Sequence, residues 1–318
     1  MRLNLLIDLS GTLHIGDQAC PGAITALNRL FSSKPVKGKC SDIKVRFCSN
    51  TTKESKQDLQ KRLVRIGFDE KIVTTDRIMT SLQACTQLCL KQQWKPLLLL
   101  TSSAQNSFRD RLAKDDKGDQ QSEAKNSIQH AFFPHPDSPP SKLSSQEKDQ
   151  LKKCDSVIVG LAPNLFNAEW LDEAFRILSN EYSQGQKHLV ATHRALYFRP
   201  GTDDPLSMGP GAYIAALEAA TRRSPDQTIV CGKPSKTFLQ LCIDDIHEER
   251  QAEGLGQDSE KTIIVGDDIE ADLGGDSIEL GLDRVLGKWK QMFRRGFWGT
   301  DLFFFTHSNS PNWQISSR

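Results

Sequence analysis

Short apolar runs are the feature that most constrains how this chain can fold. Three of them are LNLLID (residues 3–8), DSVIVGLA (155–162) and KTIIVGDD (261–268). Their apolar residues follow one another without alternation, which is typical of strands buried on both faces of a parallel sheet. Amphipathic segments such as residues 53–68 separate the runs and are predicted to be helices. This order predicts an α/β fold, a parallel sheet with helices on both sides.

Charge and hydropathy exclude several classes of protein. Lysine and arginine number 41 and aspartate and glutamate 40, so the net charge of +1 excludes a broadly basic nucleic-acid binder. No run approaches the roughly 18 apolar residues that a membrane-crossing helix needs. We therefore expect neither a nucleic acid nor a membrane as a partner.

The start of the chain and its cysteines indicate a compartment. The sequence MRLNLLIDLS enters a strand-like run directly, without the regions of a signal peptide. None of the eight cysteines forms a CxxC pair, which argues against zinc. Cys85 and Cys89 lie four positions apart on a predicted helix, where a disulfide would be strained, so reduced thiols are favoured over a redox pair. These features predict a cytoplasmic protein.

One internal stretch has a different character. Residues 102–152 are rich in Ser, Gln, Lys, Asp and Pro and include the run HPDSPPSKLSSQEKDQ. A segment with so few apolar residues gains little from burial, so we predict a disordered surface insertion here.

Acidic residues follow two of the buried-strand patterns. Asp8 ends the first, and Asp267, Asp268 and Asp272 follow the last. Because parallel strands bring their carboxyl ends to one edge of a sheet, carboxylates from two strands can converge there. Clustered carboxylates repel one another and favour a divalent cation, and oxygen ligands favour magnesium over zinc. The sequence therefore predicts a Mg²⁺ cofactor.

Two further strand ends carry groups that suit an anion. Ser49 and Asn50 follow the apolar run KVRFCS and precede a helix, and Lys233 follows the strand-like run TIVCG. Each of these residues alone is as readily explained by helix capping. Polar groups at four strand ends together indicate a site for a phosphate.

The order and wording of these motifs resemble the haloacid dehalogenase superfamily of aspartyl-phosphate hydrolases, in particular its subgroup with a C2-type cap domain. The resemblance extends over about residues 3–286, apart from 102–152. The segments that carry it are DLSGTLH (8–14), RFCSNTTKES (46–55), VIVGLAPN (157–164), GPGAYIAALEAAT (209–221), CGKPSKTF (231–238) and VGDDIEADLGG (265–275).

The resemblance also implies a domain organisation. Residues 1–77 and 205–290 would form a Rossmann-like catalytic core, and residues 78–204 an inserted α/β C2-type cap. Residues 291–318 depart from the family pattern, and their aromatic side chains follow neither a helical nor a strand period. We expect this segment to be a divergent tail.

In this family Asp8 would be the nucleophile that forms an aspartyl-phosphate, which water then hydrolyses. Mg²⁺ would be held by Asp8, the backbone oxygen of Ser10 and Asp267. Asp272 would orient either a water on the metal or Lys233.

The resemblance assigns the phosphate contacts as well. Ser49 and Asn50 would hold the phosphoryl oxygens, and Lys233 would neutralise their charge. Catalysis would then consist of positioning and electrostatic stabilisation, as expected for phosphoryl transfer.

Ser10 departs from the pattern of most of these phosphatases, which carry at this position an Asp that acts as general acid and base. Losing such help costs typically about 10²–10⁴-fold in rate. The cost is smaller when the leaving group needs little protonation. Ser10 therefore favours a small or labile phosphoryl substrate, such as a phospho-amino-acid with a P–N bond or pyrophosphate.

Other classes of function fit the sequence less well. The alternative is a catalytically weak binding or scaffold protein on the same fold, motivated by Ser10 and the tail. No GxGxxG follows the first strand, which argues against a nicotinamide-binding protein. A true dehalogenase would not need the acids that suit Mg²⁺. The expected partner is a small-molecule substrate. A homodimer formed through the cap is left open.

Overall fold

The computed structural model describes residues 2–32, 42–52, 54–115, 131–198, 204–255 and 259–287. Within these ranges the chain forms two compact units. The first contains the residues up to Ser49, Lys56–Thr80 and the residues from Lys233 onward. The second contains Asn50–Ser55 and Ser81–Gly232.

Strands and helices alternate along most of the described chain. In chain order the strands are β1 (Arg2–Asp8), β2 (His14–Ile15), β3 (Gln18–Ala19), β4 (Asp42–Ser49), β5 (Ile78–Thr80), β6 (Pro96–Leu99), β7 (Ser156–Val159), β8 (His188–Ala191), β9 (Tyr197–Phe198), β10 (Ser207–Met208), β11 (Ile229–Val230), β12 (Glu260–Gly266) and β13 (Asp283–Leu286). The α-helices are α1 (Ala23–Ser32), α2 (Lys56–Ile66), α3 (Ser81–Gln92), α4 (Ser102–Asp115), α5 (Ser145–Leu151), α6 (Ala168–Leu178), α7 (Pro210–Ala220), α8 (Lys236–Ala252) and α9 (Asp276–Glu279).

The first unit is built on a parallel sheet in the order β13-β12-β1-β4-β5. Helices cover both of its faces, as neighbouring residues of β4 illustrate. Phe47 packs in a cluster with residues of α1 and α2, including Leu27 and Leu59. Cys48, which points to the opposite face, has its Sγ 3.8 Å from that of Cys242 on α8. The α/β fold with a helix-covered parallel sheet is therefore confirmed.

The second unit has its own parallel sheet, in the order β11-β8-β7-β6. β6, β7 and β8 are almost completely buried, which explains their uninterrupted apolar sequences. Trp170 and Ile177 of α6 pack on one face together with Ile214 and Leu217 of α7. The antiparallel pair β9–β10 forms a separate two-stranded sheet in this unit.

The prediction of a disordered insertion at 102–152 is wrong for the part of it that the structure describes. Residues 102–115 form α4, and Phe132 pairs with Leu97 at the edge of β6. A capping box between Ser144 and Glu147 starts α5. Buried apolar side chains occur at wide intervals in this polar stretch, and the described ones are Ala104, Phe108, Ala131, Phe132, Leu143 and Leu151. Residues 116–130 lie outside the described ranges.

The predicted boundary at residues 204–205 also differs from the structure. β11 pairs with β8 in the sheet of the second unit, with Ile229 opposite Val190. This pairing places 205–232 in the second unit, which ends at Gly232. The predicted tail, 291–318, lies outside the described residues.

Two further expectations concern the state of the cysteines and the presence of a membrane-crossing helix. Every cysteine in the described ranges is a free, buried thiol, including Cys85 and Cys89. Of the helices described here, none combines the length and the apolar character that crossing a bilayer requires.

Candidate active site

The carboxyl edge of the first sheet gathers the acids that the sequence singled out. Asp8 is the last residue of β1, and Asp267 directly follows β12, the strand paired beside it. Carboxylate oxygens of Asp8, Asp267 and Asp272 lie within 4.8 Å of one another. Asp8 and Asp272 are buried, and Asp267 is half-buried. The acids therefore converge as expected.

Two glycines permit this close approach. A Cβ on Gly11, whose φ is +99°, would lie 2.4 Å from the Oδ1 atom of Asp267. A Cβ on Gly266 would lie 2.4 Å from the Cβ of Asp272. Real side chains do not approach so closely, so both acids depend on the missing side chain of a glycine.

Lys233 joins two of the acids. Its Nζ donates to Oδ1 of Asp8 and, at 2.7 Å, to Oδ1 of Asp272, and the lysine is only 4% exposed. The second oxygen of Asp272 accepts from the backbone N–H of Asp268 at 3.2 Å. Asp272 thus contacts Lys233 directly, which fits one of the two roles expected for it.

Burial and charge act in opposite directions on this group. Burial raises the pKa of Asp8 to about 7, against the lowering effect of Lys233, and Asp272 and Asp267 raise it further. Burial lowers the pKa of Lys233, but Asp272 and Asp8 outweigh it and raise that pKa above its ordinary value. Burial and then the charges of Asp267 and Asp8 raise the pKa of Cys20 to about 11. Burial is therefore the largest single influence on each of these three groups.

The donor set fits a hard divalent cation. Oδ2 of Asp8 is buried and has no hydrogen-bond partner among the described residues. Carboxylate oxygens of Asp267 and Asp8 lie within 4.8 Å of one another, close enough for one ion to contact both acids. Oxygen ligands of this kind are those that Mg²⁺ and Ca²⁺ prefer.

The remaining predicted residues lie in different surroundings. Ser49, the last residue of β4, is buried, and its strand lies beside β1. Asn50 follows it and belongs to the second unit. There it packs against Gly232, and a Cβ on Gly232 would lie 2.5 Å from Oδ1 of Asn50. Ser10 is exposed in the turn after β1, which is closed by a bond from the Gly11 N–H to the His14 carbonyl oxygen at 2.8 Å.

Sequence reasoning missed the structural roles of two residues in the first unit. Oδ1 of Asp268 accepts from the N–H groups of Glu270 and Ala271, each at 2.9 Å, and so shapes the loop after β12. Its position directly before a turn could have signalled this role. Arg62 of α2 donates to the carbonyl oxygen of Gly16 at 3.2 Å and braces the hairpin β2–β3, a long-range contact with no local signal.

The fold and this site define a class of protein. Residues 5–114 match the model of a haloacid dehalogenase-like hydrolase. The chain belongs to the haloacid dehalogenase-like hydrolase family, and the resemblance noted from its motifs is confirmed.

Particular relatives narrow the comparison. Haloacid dehalogenase-like hydrolase domain-containing protein 2 of Bos taurus is 35% identical over 271 residues, 85% of this chain and 78% of that protein. Phospholysine phosphohistidine inorganic pyrophosphate phosphatase of Homo sapiens is 24% identical, over 85% of this chain and 77% of that protein. A similar structure is glycerol phosphate phosphatase of Mycobacterium tuberculosis in complex with magnesium. Its TM-score is 0.59 at 20% identity, covering 89% of this chain and 66% of that one.

Proposed function

We propose that the protein is a Mg²⁺-dependent phosphatase that transfers a phosphoryl group from a small or labile substrate to Asp8 and then hydrolyses it. The observation that carries the proposal is the buried group in which Lys233 bridges Asp8 and Asp272 beside Asp267. A buried carboxylate with one oxygen held by a lysine and the other without a partner in the described part of the chain suits a nucleophile.

In the first step a carboxylate oxygen of Asp8 attacks phosphorus. A P–O or P–N bond breaks, and the leaving group departs with the bonding electron pair. Lys233 donates to Oδ1, which fixes the orientation of the carboxylate. Asp272 in turn fixes Lys233 by its bond of 2.7 Å.

In the second step water attacks the phosphorus atom of the acyl phosphate. The P–O bond to Asp8 breaks, the carboxylate is restored, and orthophosphate leaves with the oxygen of the water. Ser49 and Asn50 hold the phosphoryl oxygens in both steps, and the charge of Lys233 offsets theirs.

The acids Asp8 and Asp267, together with the backbone oxygen of Ser10, would hold the metal. Two like charges about 4 Å apart repel by about 4 kcal/mol at an effective dielectric constant of 20. When bound, Mg²⁺ supplies the positive charge that offsets this repulsion between the nucleophile and the phosphoryl group. A magnesium complex of a protein with this fold supports the choice of metal.

Ser10 narrows the proposed substrate class. The hydroxyl of Ser10 cannot donate and accept a proton as a carboxyl group of tuned pKa can. A substrate whose leaving group needs protonation should therefore be hydrolysed slowly. Phosphoramidates, which are protonated on nitrogen, and pyrophosphate avoid this need. The name of one relative includes phospholysine, phosphohistidine and inorganic pyrophosphate, which supports the same classes.

The test is a panel of phosphoramidates, pyrophosphate and alkyl phosphates, each with Mg²⁺ and with excess chelator. We expect hydrolysis that requires Mg²⁺, that Asp8→Asn abolishes, and that Asp17→Asn, a change of an exposed acid in the same unit, leaves intact. Turnover by Asp8→Asn, or full activity in chelator, would overturn the proposal. Wild-type protein that binds the substrates without turnover would favour the scaffold alternative.

A further inference from the structure

The carboxyl edge of the second sheet is lined with threonines that the proposed chemistry does not use. Thr101 follows β6 and Thr192 follows β8. Thr192 is fully buried, and its hydroxyl donates to the Val159 carbonyl oxygen at 3.3 Å. A third threonine, Thr52, reaches this edge from a distant part of the chain, two residues after Asn50.

Thr52 is held there on both sides. Its Oγ1 accepts from the N–H of Leu161, just beyond β7, at 3.2 Å. Its carbonyl oxygen lies 3.5 Å from Oγ1 of Thr101, which donates to it. Thr52 is only 1% exposed, so water cannot easily replace either partner.

Asn50 is confined at the same edge. A Cβ on Gly232 would lie 2.3 Å from the carbonyl oxygen of Thr192 and 2.5 Å from Oδ1 of Asn50. The amide of Asn50 therefore packs against backbone that only glycine allows. The tripeptide from Asn50 to Thr52 is thus fixed at its first residue by packing and at its last by hydrogen bonds.

Ser49, immediately before this tripeptide, ends β4 in the first sheet. We propose that Thr52 is a positioning residue, whose buried hydroxyl fixes the tripeptide and thereby Asn50, which holds a phosphoryl oxygen. This inference rests on the proposed function. It assigns to Thr52 a part in binding the anion, with no part in binding the metal, whose acids belong to the first sheet.

The hydroxyl can be tested separately from the shape of the side chain. Thr52→Val keeps the shape but leaves the N–H of Leu161 without an acceptor, so the tripeptide must shift or water must enter. Thr52→Ser keeps the hydroxyl. A matched control is Thr86→Val, because Thr86 is also buried in the second unit, and its hydroxyl donates within α3 to the Leu82 carbonyl oxygen at 2.8 Å.

Three quantities separate positioning from a general loss of stability. They are the affinity for orthophosphate in the presence of Mg²⁺, the affinity for Mg²⁺ alone, and kcat/KM for the best substrate of the panel. In Thr52→Val we expect orthophosphate affinity and kcat/KM to fall by about 10- to 100-fold, because small displacements of a positioning group are costly. Mg²⁺ affinity should stay within about twofold of wild type.

The two other variants complete the experiment. Thr52→Ser should recover most of both losses, and Thr86→Val should lower the melting temperature as Thr52→Val does while leaving both kinetic and binding values intact. If Thr52→Val does not fold, Thr52→Ala takes its place, since the smaller side chain admits a water at the Leu161 N–H.

Three results would overturn the inference. Wild-type values for orthophosphate binding and kcat/KM in Thr52→Val, with active wild-type protein, would refute the positioning role alone. Equal losses in Thr52→Val and Thr86→Val would make the effect one of stability. Wild-type protein that neither hydrolyses the panel nor binds orthophosphate would refute the proposed function together with the inference.

Discussion

At the scale of single residues, the site depends on one buried cation between two acids. Lys233 contacts both Asp8 and Asp272, yet the acids outnumber it, and burial keeps the pKa of Asp8 at about 7. Removing one partner of a buried ion pair leaves the other charge buried and uncompensated. This loses more stability than replacing both partners with apolar residues. The pKa of Asp8 is therefore set by its burial and its charged neighbours as well as by its residue type.

Ser10 allows the substrate class to be tested at this scale. Replacing Ser10 with Asp supplies a general acid, which helps only a leaving group that needs a proton. We expect alkyl phosphate turnover to rise relative to phosphoramidate turnover, by up to the roughly 10²–10⁴-fold that such help provides. The ratio of kcat/KM values between the two substrates is the measurement, because a new carboxylate near Asp8 also changes the absolute rates. An unchanged ratio would show that Ser10 does not select the leaving group.

At the scale of elements, the turn after β1 and the loop after β12 fit together through a glycine. Gly11→Ala would push a Cβ into Asp267 and also strain the backbone at a φ of +99°. We expect Mg²⁺ affinity to fall by at least about tenfold, a loss measurable by calorimetry.

Gly22 provides the matched control. Its φ is +79°, but a Cβ there would meet nothing within 4 Å. Gly22→Ala should therefore lower stability by about 1 kcal/mol or more while Mg²⁺ affinity stays unchanged. Equal losses of Mg²⁺ affinity in both variants would mean that backbone strain, rather than the contact with Asp267, is responsible.

The corrected segment 131–152 yields a prediction about stability. Phe132 is buried, pairs with Leu97 and packs against Trp170 with ring centroids 5.9 Å apart. Phe132→Ala should lower the free energy of unfolding by about 3–5 kcal/mol in urea titrations. The neighbouring Phe133, half-buried beneath the guanidinium group of Arg109, should cost clearly less when changed to Ala. Similar losses at both positions would contradict the assignment of Phe132 to the core.

The same elements show where sequence reasoning succeeds and fails. β1 and β12 are recognisable because strands buried on both faces are continuous apolar runs. Phe132 and Leu143 escape notice because the average composition around them is polar, although single buried side chains suffice to order the chain. β11 is also recognisable as a strand, but a short strand of a parallel sheet carries no sign of which sheet it joins, so the sequence alone does not locate the boundary near Gly232.

At the scale of the whole molecule, each of the two units collects its residues from separate stretches of the chain. The acids and Lys233 come from the first unit, in segments near positions 8, 233 and 267. Their convergence was predictable, because carboxyl ends of parallel strands meet at one edge. The contacts of Asn50 and Thr52 within the second unit were not predictable, because contacts such as that of Thr52 with Leu161 join residues 109 positions apart.

Metal binding should be measurable as a change in the stability of the whole protein. A ligand that binds only the folded state at 100 times its dissociation constant stabilises it by about 2.7 kcal/mol. We expect Mg²⁺ to raise the melting temperature and Asp267→Asn to remove most of this increase. An equal increase in wild type and Asp267→Asn would place the metal elsewhere.

The central claim is that the phosphoryl group passes through Asp8, and acid-quenched single turnovers test it most directly. Protein mixed with Mg²⁺ and a substrate that it hydrolyses is quenched within milliseconds to seconds, digested and analysed by mass spectrometry. The account predicts a phosphoryl group on the peptide that contains Asp8, released by hydroxylamine and absent in Asp8→Asn. Complete turnover at every quench time without phosphate on Asp8, together with persistent turnover in Asp8→Asn, would contradict it.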